Sequence, residues 1–189
     1  MKYLKALLLV LVLFLAACGK GEIESTMSSQ VEDFEFTTQD NEKLGLDDLK
    51  GEWWIADFIF TNCTTVCLPM TTNMVELQEK LADNKLDAQL ISFSVDPDVD
   101  TPEVLTDYAK GYGADLSNWS FLTGYDFETI QELSLKSFLS DLQEDPDSDQ
   151  VTHGTRFFLV NPEGEIIKSY FGTEKKDIDA IVDDLKKVL

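Results

Sequence analysis

WWIADFIFTNCTTVCLPMTTNMVELQEKL, residues 53–81, changes its pattern twice within one short stretch. Trp53 to Phe60 is an apolar run of strand length and reads as a buried strand. Met70, Met74, Leu77 and Leu81 then recur three and four apart, which puts them on one face of a helix. Cys63 and Cys67 lie between the two patterns, in the loop that feeds the helix. Cysteines near a helix N-terminus have lowered thiol pKa, because the free backbone N–H groups there favour the thiolate.

The rest of the chain extends this strand–loop–helix unit in both directions. Before it, Val31 to Leu46 alternates weakly around Gln39-Asp40-Asn41 and predicts an N-terminal β-hairpin. After it, Leu86 to Val95 reads as a second strand. Thr101-Pro102-Glu103 opens a helix to about Gly111, with Thr as N-cap and Pro at the first helical position. Trp119 to Thr123 reads as a third strand, and a helix runs from Asp126 to about Phe138. An acidic loop, Asp141 to Gln150, precedes a fourth strand at Arg156 to Val160. Asn161-Pro162-Glu163-Gly164 is a turn, Glu165 to Phe171 pairs back, and Asp177 to Val188 is a final amphipathic helix. That order predicts an α/β domain: a central mixed sheet with helices on both faces.

The N-terminus is of another kind. Lys2 and Lys5 precede an apolar run from Ala6 to Ala17 that is short for a transmembrane helix and suits a secretory signal. It closes on Leu15-Ala16-Ala17-Cys18, which resembles a bacterial lipobox. The expectation is a signal peptide over 1–17, lipid on Cys18, a flexible tether over 18–30 and a folded domain over 31–189 working outside the cytoplasm. The formal charge is −21, and loss of the signal lysines makes it more negative. Phosphates would be repelled, so nucleic acid is not an expected partner. Anionic headgroups would be repelled too, which makes a lipid anchor the more useful link to a membrane.

Two extracytoplasmic thiols four apart allow three chemistries. A structural disulfide is one, though so small a loop removes little unfolded-state entropy. A redox dithiol is the second. Dedicated oxidoreductases usually carry C-x-x-C and a proline just before a later strand. Here the spacing is C-x-x-x-C, and none of the prolines at 69, 97, 102, 146 and 162 immediately precedes Arg156. A metal is the third: two soft thiolates and an imidazole make a set suited to copper. The chain has one histidine, His153, at the mouth of the fourth strand. If central strands run parallel, the cysteine loop and that mouth can lie close together. Zinc would normally want a fourth ligand, which Asp96, at the end of the second strand, could supply.

Three blocks in order resemble the Sco/SenC proteins, the thioredoxin-like copper proteins that assist assembly of cytochrome c oxidase. FIFTNCTTVCLPMT is similar to that family's cysteine loop, SVDPDVDTPEVLTDYA to its Asp-Pro loop and following helix, and THGTRFFLVNPEGEII to its histidine-bearing strand and hairpin. The resemblance spans roughly residues 31 to 189. It implies a thioredoxin-like fold and one copper ion held by Cys63, Cys67 and His153, with Asp96 beside the site as neighbour or weak ligand. It further implies the copper-bearing oxidase subunit as partner and the dinuclear copper centre of that subunit as target; because thiolates must be reduced to bind, a thiol reductant is a further candidate partner. An extracytoplasmic thiol–disulfide reductase acting on that subunit's cysteines is the alternative. Thr64 and Leu68 depart from the family pattern, where many members have proline.

Other candidates read more plainly. Met70 and Met74 carry soft sulfurs but sit at core spacing, and Trp53 and Trp54 begin a strand. The acidic runs from Asp145 and from Asp96 lack the Gly and Glu of a calcium loop, with Gln150 and Arg156 in the first and Thr101 and Asp107 in the second. Asp57, inside an apolar strand, is harder to dismiss: a buried carboxylate needs a partner or a raised pKa.

Overall fold

The computed structural model describes residues 21–63 and 65–189. The expected signal segment, Cys18 and Thr64 lie outside them. Among the described residues ten strands and four helices follow one another as β1 (Ser29–Gln30), β2 (Glu35–Thr38), β3 (Lys43–Gly45), β4 (Trp53–Ile59), α1 (Cys67–Asn84), β5 (Ala88–Ser94), α2 (Pro102–Tyr112), β6 (Trp119–Thr123), α3 (Phe127–Phe138), β7 (Gln143–Glu144), β8 (Val151–Thr152), β9 (Arg156–Val160), β10 (Glu165–Phe171) and α4 (Lys175–Val188). A 3-10 turn, Leu46–Leu49, follows β3.

Eight strands form one sheet in the order β1-β10-β9-β4-β5-β6-β2-β3. β4, β5 and β6 run parallel, while β9 joins β4 antiparallel and the outer pairs are antiparallel. This is the mixed α/β sheet the sequence predicts, and the predicted N-terminal hairpin, β2–β3, forms one edge. Its turn places Asn41 at φ 63°, a left-handed conformation that asparagine tolerates.

The apolar pattern of β4 explains the layering. β4 is central, so both of its faces are covered and its apolar run is nearly continuous. Ile55 and Ile59 pack with Met70, Met74, Leu77 and Leu81 of α1, Leu105 of α2 and Ile178 of α4. Trp54, Ala56 and Phe58 pack on the opposite face with Ile130, Leu133 and Phe138 of α3. Met70 and Met74 are fully buried in the first of these clusters, in the core role their spacing predicts.

Helix boundaries follow their caps. Thr101 Oγ1 accepts from Val104 N–H, and Gly113 closes α2 at φ 77°. The Asp126 carboxylate accepts from Thr129 N–H at 2.8 Å to open α3. α4 starts at Lys175, slightly earlier than its apolar periodicity suggests.

Two expectations need correction. Residues 21–30 are not a free tether: Ile23 is buried, Thr26 and Met27 N–H donate to the Ile167 carbonyl, and β1 pairs with β10. The open backbone groups of an edge strand recruit this polar segment, a pairing that its side-chain composition does not betray. The acidic segment 141–152 is likewise more than a solvated loop, because β7 and β8 pair in it as a small separate hairpin.

Candidate metal centre

The site forms where β4 ends, α1 begins and the chain arrives at β9. Parallel strands are not what brings these together. β9 runs antiparallel to β4, pairing Trp54 with Val160 and Ala56 with Phe158, so the start of β9 lies beside the end of β4. A parallel β9 would carry its first residue to the far end of the sheet. The antiparallel pairing therefore puts His153, just upstream of β9, over the cysteine loop.

Among the described residues Cys63, Cys67 and His153 form one group, with a ligand atom of each within 4.8 Å of the others. Cys67 Sγ lies 3.3 Å from His153 Nε2. His153 Nδ1 is 3.0 Å from the Gly154 carbonyl, which can only accept, so Nδ1 donates this hydrogen bond and Nε2 faces the Cys67 sulfur. Phe60 packs edge-on against the imidazole, with centroids 5.8 Å apart. Cys67 N–H donates to Cys63 Sγ at 3.4 Å, and both cysteines are free thiols.

The two sulfurs differ in environment. Cys67 is 2% exposed, and burial pushes its thiol well above the ordinary range, with the shared hydrogen bond to Cys63 adding to the rise. Burial pushes Cys63 up as well. Hydrogen bonding with His153 and Cys67, and with the Thr65 and Cys67 backbone, outweighs it and brings the thiol down to about 6. One half-exposed thiolate beside one buried thiol is the result.

The loop is gripped from the acidic hairpin. Asn62 Nδ2 donates to Asp149 Oδ2 at 2.6 Å, and Gln150 Nε2 donates to the Asn62 carbonyl at 3.1 Å. The hairpin then leads through β8 directly into His153, so it ties the cysteine loop to the segment that carries the imidazole. Its sequence signal is only an acidic run, and nothing in that run names Asn62.

Asp96 stands on the loop after β5 and is not a member of the three-residue group. Its N–H donates to Ser94 Oγ at 3.1 Å, and its carbonyl accepts from Val99 and Asp100. Burial raises its carboxyl, and Asp100, Asp98, Asp149 and Glu144 raise it further. Asp57 is fully buried on β4. Its Oδ1 accepts from Ser92 Oγ at 2.6 Å, Ser92 Oγ accepts from Trp119 Nε1, and its Oδ2 has no partner. Burial pushes it up to about 7, against the pull of Ser92 and His153. The partner that the sequence could not name is Ser92, the residue facing Asp57 across the β4–β5 ladder.

A thioredoxin-like α/β domain with two thiols and an imidazole converging at one sheet end is a thiol- or metal-handling protein. Comparison with known proteins narrows this. Residues 23–189 match the family model described as SCO1/SenC, and the chain belongs to that family. A SCO1 protein homolog of Bacillus subtilis (strain 168) is 46% identical over 98% of this chain and 97% of its own. The solved SCO1/SenC family lipoprotein of Bacillus anthracis str. Ames superposes with a TM-score of 0.83 at 43% identity, covering 87% of this chain and 98% of that one. BsSco, a member of the Sco family of cytochrome c oxidase assembly proteins, superposes with a TM-score of 0.80 at 46% identity, covering 87% and 95%. ScoI of Arabidopsis thaliana, solved with copper bound, shares the fold with a TM-score of 0.71 at 24% identity, covering 84% and 98%.

Proposed function

We propose that this chain is a Sco-type copper metallochaperone that assists assembly of the dinuclear copper centre of cytochrome c oxidase. The observation that carries the reading is the convergence of Cys63, Cys67 and His153 within 4.8 Å. Two thiolates and an imidazole, with no fourth member of the group among the described residues, are a soft donor set that suits copper better than zinc. The copper-bound ScoI of the same fold and the oxidase-assembly role of the Sco family support it. Copper is cargo here, one ion held by the three residues and passed to the oxidase's copper-bearing subunit by ligand exchange. Asp96 stands beside the site as neighbour rather than principal ligand.

The thiols must be reduced to bind, so a thiol reductant is an expected partner. Cys18 is the proposed lipid attachment point, holding the domain outside the cytoplasm at the membrane surface. The Bacillus anthracis lipoprotein of the family supports that location.

A second reading is favoured by one observation: a thiol lowered to about 6 four residues from a buried partner is suited to thiol–disulfide exchange with the oxidase subunit. Copper titration of the reduced protein, with absorption and EPR spectra of wild type and His153→Ala, separates the two. One tight equivalent with thiolate-to-copper charge transfer, lost or altered in the variant, is the chaperone's result. No tight copper with a readily cycling dithiol is the reductase's.

A further inference from the structure

Asp100 has no part in the three-residue group, yet it is fully buried and bonds to the residue two before Cys63. Its Oδ1 accepts from Thr61 Oγ1 at 2.5 Å. Both its oxygens lie 3.2 Å from Thr61 N–H. Its Oδ2 accepts from Ser94 Oγ at 2.6 Å, and the same hydroxyl receives the Asp96 N–H at 3.1 Å. Burial raises this carboxyl, while Ser94 and Thr61 pull it back.

A carboxylate without a cation beside it is costly to bury, and a fold that served packing alone would do better with an apolar residue here. What this one holds is specific. Thr61 is the second residue past the end of β4 and stands two before Cys63. Its neighbour Asn62 is held by Asp149 and Gln150. The two residues that launch the cysteine loop are therefore each clamped by a different segment. One clamp is the hairpin that delivers His153. The other is Asp100, on the tight turn that Asp96 begins and Thr101 ends.

We infer that Asp100 is a positioning residue of the metal centre: by anchoring Thr61 and the Asp96 turn together, it sets where Cys63 and Cys67 stand relative to His153. The inference rests on the proposed site but is tested on the thiols, without requiring copper.

The experiment uses the full reduced chain and reads the iodoacetamide rate at each cysteine by mass spectrometry. Asp100→Asn and Thr61→Val are compared with wild type and with Asp184→Asn. Asp184 is a second buried carboxylate, on α4, tied to Lys168, Tyr170 and Lys187, and serves as the control for general softening. Asp100→Asn is expected to speed Cys67 alkylation several-fold, because a loosened loop exposes a thiol that burial keeps slow. Thr61→Val should shift it less in the same direction, and keeps the test alive if Asp100→Asn does not fold. Asp184→Asn should lower Tm and leave the rate unchanged. Rates within twofold of wild type in both loop variants would overturn the inference, as would an equal change in Asp184→Asn. A parallel copper titration separates the two readings: wild type failing to bind copper counts against the chaperone, while the alkylation rates still decide on Asp100.

Discussion

Cys67 Sγ and His153 Nε2 stand 3.3 Å apart although 86 residues separate them in the chain. The Gly154 carbonyl holds the imidazole through Nδ1, and Phe60 braces the ring. The imidazole is thereby aimed at the sulfur before any metal arrives. His153→Ala should weaken copper binding by more than the roughly 10–100-fold that loss of a ligand's supporting partner costs. The Cys63–Cys67 disulfide should still form on oxidation. Competition titration against a copper chelator, with thiol counting after oxidation, checks both, and unchanged copper affinity would sink the three-ligand model.

The two thiols should titrate far apart. Cys63 is lowered to about 6, so its alkylation rate should rise with a midpoint near that pH, where a free cysteine would need about 8.5. Cys67 should stay slow throughout this range. The linkage has a definite sign: the folded pKa lies below the unfolded one, so this group's stabilisation is present above about pH 8.5 and is lost as pH falls through about 6. A midpoint near 8.5 for Cys63 would remove the asymmetry on which the exchange reading depends.

Asp57 should impose the opposite trend. Its carboxyl is raised to about 7 in the fold, against about 3.9 when unfolded. Its contribution is fully present below about pH 4 and is lost as pH rises through about 7. Asp57→Asn keeps an acceptor for Ser92 and exchanges an unpartnered oxygen for an unpartnered amide. The variant should show a flatter stability profile between pH 5 and 8 than wild type, by up to about 3 kcal/mol. Denaturant midpoints at the two pH values measure it; parallel profiles would mean that Asp57 does not titrate in this window.

Met74 should matter to packing and not to copper. It is fully buried against the core beneath α1. Met74→Leu conserves volume and should cost less than about 1.5 kcal/mol. Met74→Ala should cost about 2–5 kcal/mol through the cavity it leaves. Copper affinity should hold in Met74→Leu; a marked loss there would make the thioether a ligand.

Most elements were legible because each carries its own local signal. Met70, Met74, Leu77 and Leu81 repeat at helical spacing, Thr101-Pro102 caps α2, and Asn161-Pro162-Glu163-Gly164 turns β9 into β10. Residues 21–30 were misread because their attachment depends on the open edge of β10 rather than on their own composition. Asp100 went unnoticed because its meaning comes from Thr61 and Ser94, which approach it only across the sheet end.

The candidate residues themselves stand in the sequence: two cysteines four apart and a lone histidine, with three ordered blocks that match a family. Periodicity and residue chemistry act over a few positions, so they determined the element order, the core stripe and the soft donor types. Whether His153 meets the cysteines depends on strand direction, which no local pattern encodes. The antiparallel pairing of β9 with β4 decided that meeting. Burial and hydrogen bonding then separated two chemically identical thiols into a thiolate lowered to about 6 and a protonated partner. Those differences arise from desolvation and hydrogen bonding at the sheet end, which exist only once the chain has closed around them.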